Sequence, residues 1–503
     1  MGATIIDLLS TGADDAIALA APERHPTTFA RLREHVTTTV ASLNWLGIAR
    51  NDRVAIVLQN GPEMASAFLS IASGATTAPL NPAYRQEEFA FYLTDLKAKA
   101  LVLAASDDSP ARAAANELGI RVLDISITAE DPAGVFRFTN ASDSDRAMFA
   151  ESDDVALVLH TSGTTSRPKI VPLTHANLSA SADNIKNLLQ LEPLDRCLNV
   201  MPLFHIHGLV AAILASLNAG GSTYCTPGFN ALRFFAWMDD AAPSWYTAVP
   251  TMHQTIVARA KAQSKTIKRN PLRFIRSSSA SLPPKVMAEL ESAFDAPVIE
   301  AYAMTEAAHQ MTSNPLPPAS RHPGSVGIAA GPEVAVMDEA GHLVDNDTIG
   351  EVVIRGPNVT AGYENNSEAN ASAFNNGWFR TGDQGTMDDA GYLRITGRLK
   401  EIINRGGEKI SPREIDEVIL DHPAVAQAVC FAMPHDKLGE DIAAAIVLAD
   451  GANSDEHELR NFITERVADF KVPRKIVFLD EIPKGPTGKV QRIGLAEKLG
   501  LRK

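Results

Sequence analysis

Cysteine is nearly absent. Cys197, Cys225 and Cys430 lie far apart and never at C-x-x-C spacing. That excludes a disulfide framework or a thiolate zinc site and fits a reducing compartment. No uncharged apolar stretch approaches the roughly 20 residues a membrane span needs, so none is expected. The opening MGATIIDLLSTGADD has no basic region leading into an apolar run, so no secretory signal is expected either. The final Leu-Arg-Lys is not a peroxisomal tripeptide. Positive charge is also short: 46 Lys and Arg stand against 60 Asp and Glu, a net charge of −14. Such a surface repels nucleic acid and anionic lipid, so neither is an expected partner. A polyanionic ligand must be met by a local site that overrides the global field. Internal repeats of 20–50 residues are missing, which excludes solenoids. G-x-x-x-x-G-K-[ST] occurs nowhere, which excludes a Walker A loop. The expected setting is soluble and cytoplasmic.

What is present is an ordinary globular composition, 45% apolar and 21% charged over 503 residues. At roughly 100–200 residues per domain the length implies two to four domains. Short apolar runs alternate with helical patterns: strands over 53–58, 100–104, 154–159, 245–249 and 272–275, and helices over 62–72, 86–96 and 283–294. This alternation predicts an α/β chain with parallel sheets. From 350 to about 392, Gly, Asn and Asp multiply and helical runs thin out, which predicts a smaller β-rich subdomain. About 100 residues of mixed helix and strand follow Gly397-Arg398, the size of a small α+β domain. Residues 471–503 carry nine basic and three acidic side chains, a local excess suited either to solvent or to a polyanion such as a nucleotide or CoA.

The most informative stretch is LHTSGTTSRPK at 159–169, directly after a strand. Hydroxyls and backbone N–H groups on a Gly-bearing loop can wrap phosphate oxygens, while Arg167 and Lys169 offset their charge.

These residues and five further motifs resemble the adenylate-forming superfamily of acyl-CoA synthetases, nonribosomal adenylation domains and luciferases. In order they are TSGTTSRPK (161–169), PLFHIHGL (202–209), AYAMTE (301–306), GWFRTGD (377–383), GRLKEIINRGGEKISPRE (397–414) and PKGPTGKVQR (483–492). The resemblance implies the adenylate-forming fold: a large N-terminal domain over 1–399, and a small mobile C-terminal domain over 400–503 hinged at Lys400. It implies ATP, Mg²⁺ and CoA as cofactor and co-substrates. For ATP it points to Thr161, Ser162, Gly163, Thr164, Thr165, Lys169, Tyr302, Ala303, Thr305, Asp383, Arg398 and Lys489. Two anions must meet when an acid attacks the α-phosphorus of ATP, so charge has to be offset and the reactants held. Glu306 is the expected Mg²⁺ carboxylate, and Thr305 gives a hydroxyl to the α-phosphate. Tyr302 offers a flat face to adenine, Asp383 accepts from the ribose hydroxyls, and Arg398 adds a fork near ribose and phosphate. Lys489 bridges the acid and the α-phosphate. Together Lys489, Thr305, Glu306 and His205 are the expected catalytic set. In a second domain orientation, Gly406, Gly407 and Glu408 face the CoA pantetheine.

Three departures from the common pattern bear on the acid. Ser277-Ser278-Ser279-Ala280-Ser281-Leu282 stands where S-G-A-A-P-L is usual, so a serine adds bulk and a hydroxyl at a glycine position. Ala301 and Ala303 replace glycines, and His309 follows Glu306 by three. The expected acid pocket is His205, His207, Ser279, Ser281, Ala303, Met304 and His309. These groups suit a small polar acid, because an apolar one would leave them buried and unpaired. WYTAVPT (245–251), LRFIRSSSASL (272–282) and EAYAMTEAAHQMTSNPLP (300–317) look like the oxalate–CoA ligases, with malonyl-CoA synthetases as the rival. Ile170 departs from the glycine usual after the loop lysine. A carrier-protein-loading enzyme and a non-catalytic binding protein are the alternatives from other classes.

Overall fold

The computed structural model describes residues 3–128, 130–141, 146–161, 168–483 and 490–501. Its strands read as continuous apolar runs because both of their faces are covered. In the strand Arg53–Ile56, Val54 and Ile56 turn to one helical layer and Ala55 to another. The same division separates Trp245 from Tyr246 and Phe274 from Ile275. Period-two alternation thus sorts one strand's residues into two different cores.

Two large sheets result. One has seven strands, with Arg53–Ile56 between Ala100–Ala104 and Thr76–Pro79 and with Val155–Thr161 and Lys169–Thr174 at one end. The other has nine, and its middle runs Val298–Met304, Phe274–Ser277, Trp245–Ala248, Arg196–Asn199, Ser222–Cys225. Interior pairs are parallel, and antiparallel pairs such as Val298–Met304 with His309–Ser313 occur toward the ends. Between the sheets lie helices Phe29–Trp45, Pro62–Ala72 and His175–Leu188 and the π-helix His207–Leu214, which share one core. Helices Phe234–Ala241, Pro250–Ala260 and Pro284–Phe294 cover the outer face of the nine-stranded sheet. Gln86–Asp95 and Pro110–Glu117 cover the other. Several of these helices begin with proline in the first turn, where its missing N–H costs no hydrogen bond.

The β-rich region is a five-stranded antiparallel sheet that includes Gly350–Arg355, Trp378–Met387 and Leu393–Arg398. It begins earlier than its composition suggests, because Glu333–Met337 pairs with Gly350–Arg355 across a loop. The 3₁₀ turn Leu399–Glu401 then leads to a separate sheet built on Val425–His435 and Gly439–Leu448, packed by helices Pro412–Leu420 and Glu456–Thr464 around their own core. Among the described residues no helix is long and apolar enough to cross a membrane. All three cysteines are buried and unpaired.

Candidate active site

A cavity of about 370 Å³ opens where the C-terminal unit meets the large one. Tyr302, Ala303, Ser281, Asp383 and Arg398 line one side, and Arg413, Asp416 and Arg492 the other. Asp383 and Arg398 face each other in register on adjacent antiparallel strands, which brings the Arg398 Nε to donate to Asp383 Oδ1 at 2.8 Å. Tyr302 arrives from the nine-stranded sheet and donates its hydroxyl to Asp383 Oδ2 at 2.5 Å. The Asp383 charge raises the Arg398 pKa against the opposing effect of burial. Burial, and then Asp383, push the Tyr302 phenol well above its ordinary value. Both oxygens of Asp383 are therefore fixed in direction before any sugar hydroxyl arrives.

A second cluster lies around Glu306, in the turn Thr305–Ala307 that follows the strand Val298–Met304. Only 7% of Glu306 is exposed. Burial raises its carboxyl pKa, while the Tyr363 hydroxyl, donating at 2.8 Å to Oε1, and the charges of Arg398 and Lys169 act in the opposite direction. Lys169 Nζ stands 4.1 Å over the Tyr363 ring, within cation–π range. Burial, followed by the charge of Lys400, lowers the Lys169 pKa. Lys169 and Arg398 thus set positive charge against one buried carboxylate, with Lys400 close to Lys169. Thr161 and Lys169 are paired across the hairpin that closes the phosphate-loop motif, so Lys169 stands at its base. Ser162, Gly163, Thr164, Thr165 and Arg167, and likewise Lys489, lie outside the described residues. Ile482, Val490 and Arg492, which flank the lysine motif, border the same cavity as Tyr302.

A third cluster is polar: His207 and His309 are fully buried, and Ser279, half-buried, reaches the cavity. The gate motif leads into the π-helix His207–Leu214, a widened winding often found at functional sites. Gly208 is required there, because a Cβ would sit 2.5 Å from the Pro202 carbonyl oxygen. His207 Nδ1 is 3.0 Å from Ser279 Oγ, and its Nε2 is 2.6 Å from Thr247 Oγ1. Its ring lies 4.9 Å from that of His309. Ser279 and His309 both adopt left-handed backbone, with φ of 75° and 97°. Such conformations in side-chain-bearing residues cluster at functional sites. His205 heads the same turn, its Nδ1 accepting the His207 amide at 3.2 Å.

The structure therefore gathers Tyr302, Asp383 and Arg398 in one cluster, Glu306 and Lys169 in a second, and His207, Ser279 and His309 in a third. Met304 packs against the main core, and Thr305 opens the turn that Ala308 closes at φ 46°. Gly406 and Gly407, at φ 62° and 103°, form the tip of the hairpin that Glu408 re-enters. They do not line the cavity in this orientation. Two readings change. Ser278, expected to narrow the acid pocket, turns back to donate to the Ala301 carbonyl at 3.0 Å. Ile170 is no loop residue: it lies within the strand Lys169–Thr174, buried in the same core as Val158.

Three residues escaped the sequence reading. Tyr363 supports Glu306, Thr247 holds His207, and Arg276 lies fully buried beneath the histidines. Arg276 had a detectable signal, a charge inside the apolar run LRFIRS. Tyr363 had none, since it sits in an irregular segment 57 residues from its partner.

The chain matches known proteins over most of its length. The model of the AMP-binding enzyme family matches residues 10–364, and that of the AMP-binding enzyme C-terminal domain matches 414–489. An oxalate–CoA ligase of Arabidopsis thaliana is 46% identical, over 95% of this chain and 94% of its own. An oxalate–CoA ligase of Saccharomyces cerevisiae is 43% identical, over 90% of this chain and 87% of its own. ATP-bound MatB from Rhodopseudomonas palustris superposes with a TM-score of 0.90 at 30% identity, covering 99% of both chains. Apo MatB from the same organism, with the same identity and coverage, gives 0.79. With a family match over most of its length and relatives this close, the chain belongs to the AMP-binding enzyme family.

Proposed function

We propose that this chain is an AMP-forming acid–thiol ligase that joins oxalate to CoA. In the first half-reaction one oxalate carboxylate attacks the α-phosphorus of ATP, releasing diphosphate and leaving an oxalyl-adenylate. In the second the CoA thiol attacks the acyl carbon, AMP departs and oxalyl-CoA forms. The observation that carries the choice of acid is the polar cluster of buried His207 and His309 with Ser279, which opens on the cavity, in a chain whose relatives include two named oxalate–CoA ligases. A cavity end lined by Ser279 and backed by two buried imidazoles calls for an acid whose far end is itself polar.

In this reading Tyr302 and Ala303 flank adenine and Asp383 takes the ribose hydroxyls. Arg398 and the loop Thr161–Thr165 with Lys169 hold the phosphates, and Thr305 meets the α-phosphate. Lys489 bridges acid and phosphate, and His205 stands at the gate. Glu306 fits a magnesium ion: it is one hard, buried carboxylate oxygen source beside gathered cations, and Mg²⁺ commonly takes one or two carboxylates with substrate phosphates and water. Such an ion neutralises phosphate charge.

We also place the domain boundary at 399/400, with Lys400 as pivot. The short turn Leu399–Glu401 joining two sheets supports it, as does the better fit to the ATP-bound relative than to the apo form. This orientation belongs to adenylation, and the one presenting Gly406, Gly407 and Glu408 to the thiol belongs to thioester formation. We assign the enzyme to the cytoplasm, a reducing compartment that suits its three buried thiols.

The test is diphosphate release over oxalate, malonate, acetate and hexanoate, with and without CoA. Oxalate turns over fastest and only with CoA gives sustained product. Preference for hexanoate, or release unaffected by every acid, overturns the proposal.

A further inference from the structure

The acid cluster is backed by a cation that no anion among the described residues balances. Arg276 is fully buried, and among the described residues no carboxylate pairs with it; the one charge interaction that raises its pKa against burial comes from the Cys197 thiol. Strand register explains why. Arg276 stands opposite Thr247 on one neighbouring strand and Ile299 on the other, so it projects into the central layer under the π-helix. The nearby buried acid, Glu300, is in register with Ser277 and projects to the opposite face. The guanidinium meets three polar neighbours: Gln310 Oε1 at 2.9 Å, His309 Nε2 at 3.4 Å and His207 Nε2 at 3.5 Å. Its Nε has no hydrogen-bond partner among the described residues.

A guanidinium only donates. Two imidazole nitrogens turned toward it must offer lone pairs, so both rings carry their proton on Nδ1. The same cation disfavours a second positive charge on either ring. His207 then donates from Nδ1 to Ser279 Oγ, which frees the Ser279 hydroxyl proton to point onward.

We propose that Arg276 is a positioning and specificity-determining residue: it fixes His207 and His309 as neutral Nδ1–H donors and supplies the permanent charge by which the pocket selects acids with a second anionic group. This rests on the proposed acid–CoA ligase activity and deepens it. Through Arg276 the pocket reads a second negative charge, as carboxylate or other oxyanion, while the reacting carboxylate is handled elsewhere. Because the charge is a guanidinium, selection is constant across neutral pH. Among the described residues, Arg276 from the strand Phe274–Ser277 meets both rings, and His205 from the gate turn accepts the His207 amide. Cys197, from Arg196–Asn199, stands behind Arg276, and burial keeps it a neutral thiol. His253 lies against the Arg276 backbone and is likewise held neutral, pushed down to about 4 by burial.

The experiment compares wild type with Arg276→Gln and Arg276→Lys, using oxalate, malonate and acetate, with ATP affinity measured calorimetrically as the control for folding. Expected in Arg276→Gln is a loss of about 100-fold or more in kcat/KM for oxalate and malonate, as when a buried charge partner is removed, with acetate within about threefold of wild type. Arg276→Lys recovers part of the loss. Wild-type KM for oxalate stays flat between about pH 6 and 8, whereas in Arg276→Gln it improves toward pH 6 as the imidazoles take up protons. Equal loss for oxalate and acetate with ATP affinity intact, or a flat profile in Arg276→Gln, overturns the inference. Should the variants fail to bind ATP, ¹⁵N spectra of histidine-labelled wild type decide. Neutral Nδ1–H rings for His207 and His309 sustain the inference, and an Nε2–H or charged ring at pH 7 overturns it. The two readings fail separately: a wild type that prefers malonate to oxalate refutes the oxalate assignment and leaves Arg276 standing, and one that prefers acetate to both refutes Arg276 as selector.

Discussion

Tyr302 and Asp383 meet at 2.5 Å although they belong to different sheets, so this hydrogen bond ties the nine-stranded sheet to the β-rich one at the cavity. Asp383→Ala leaves the Tyr302 hydroxyl and the Arg398 guanidinium without their acceptor. ATP affinity should fall about 100-fold, in line with about 3 kcal/mol for hydrogen bonds involving a charged group. Tyr302→Phe keeps the ring and loses one hydroxyl, and should cost about tenfold or less. Calorimetric titration with ATP separates the two, and equal losses would mean that the pair is only a structural strut.

The Tyr363 hydroxyl, donating to Glu306, offsets part of the rise that burial gives its carboxyl pKa. Removing that hydrogen bond with Tyr363→Phe raises the Glu306 pKa further, so the acid limb of the activity profile moves to higher pH. The expected shift is about one pH unit or less, equivalent to about 1 kcal/mol. A pH profile of diphosphate release at saturating ATP checks it; a shift toward lower pH contradicts the assigned role of the hydroxyl.

Lys489 lies between Ile482 and Val490 in sequence, both of which border the cavity. Lys489→Ala should lower acyl-adenylate formation by about 100-fold or more, the scale seen when a transition-state donor is removed. Thioester formation from pre-made adenylate should stay within about threefold of wild type. Acetylation of the same lysine removes its charge and should silence the first step alike. Equal loss in both half-reactions would defeat the two-orientation reading.

Glu300 is fully enclosed and receives one hydrogen bond, from the Leu282 amide at 2.9 Å. Burial pushes its carboxyl up to about 7 from 4.5. The folded state therefore binds more protons than the unfolded one between these values, and wild-type stability falls as pH rises through that window. Glu300→Gln keeps the acceptor and removes the charge. It should match wild type near pH 4.5 and exceed it above pH 7 by up to about 3 kcal/mol. Melting temperatures at several pH values test this, and a variant less stable than wild type at pH 8 contradicts it.

The local elements were legible in the chain itself because they depend on near neighbours. Pro62 opens the helix Pro62–Ala72, as its place before PEMASAFLSIA predicts, and the apolar run ALVLA forms the strand Ala100–Ala104. The ordered motifs carried the family in the same way, since each is a contiguous stretch whose residue types suit one local task. The start of the β-rich sheet was not legible, because Glu333–Met337 is defined by pairing across a loop rather than by its own composition.

The α/β alternation, the family and the chemistry carried inside each motif are thus written in the chain. What those motifs meet follows from packing. Arg276 lies 69 residues from His207 and 33 from His309, and what joins them is strand register, which points Arg276 and Thr247 into the same layer and sends Glu300 to the other face. Ser278 was misread for the same reason: its identity is visible in the chain, but the direction of its hydroxyl is set by the adjacent strand's Ala301 carbonyl. A side chain's type is a local property, whereas its partner is fixed by which face of which element packs against it.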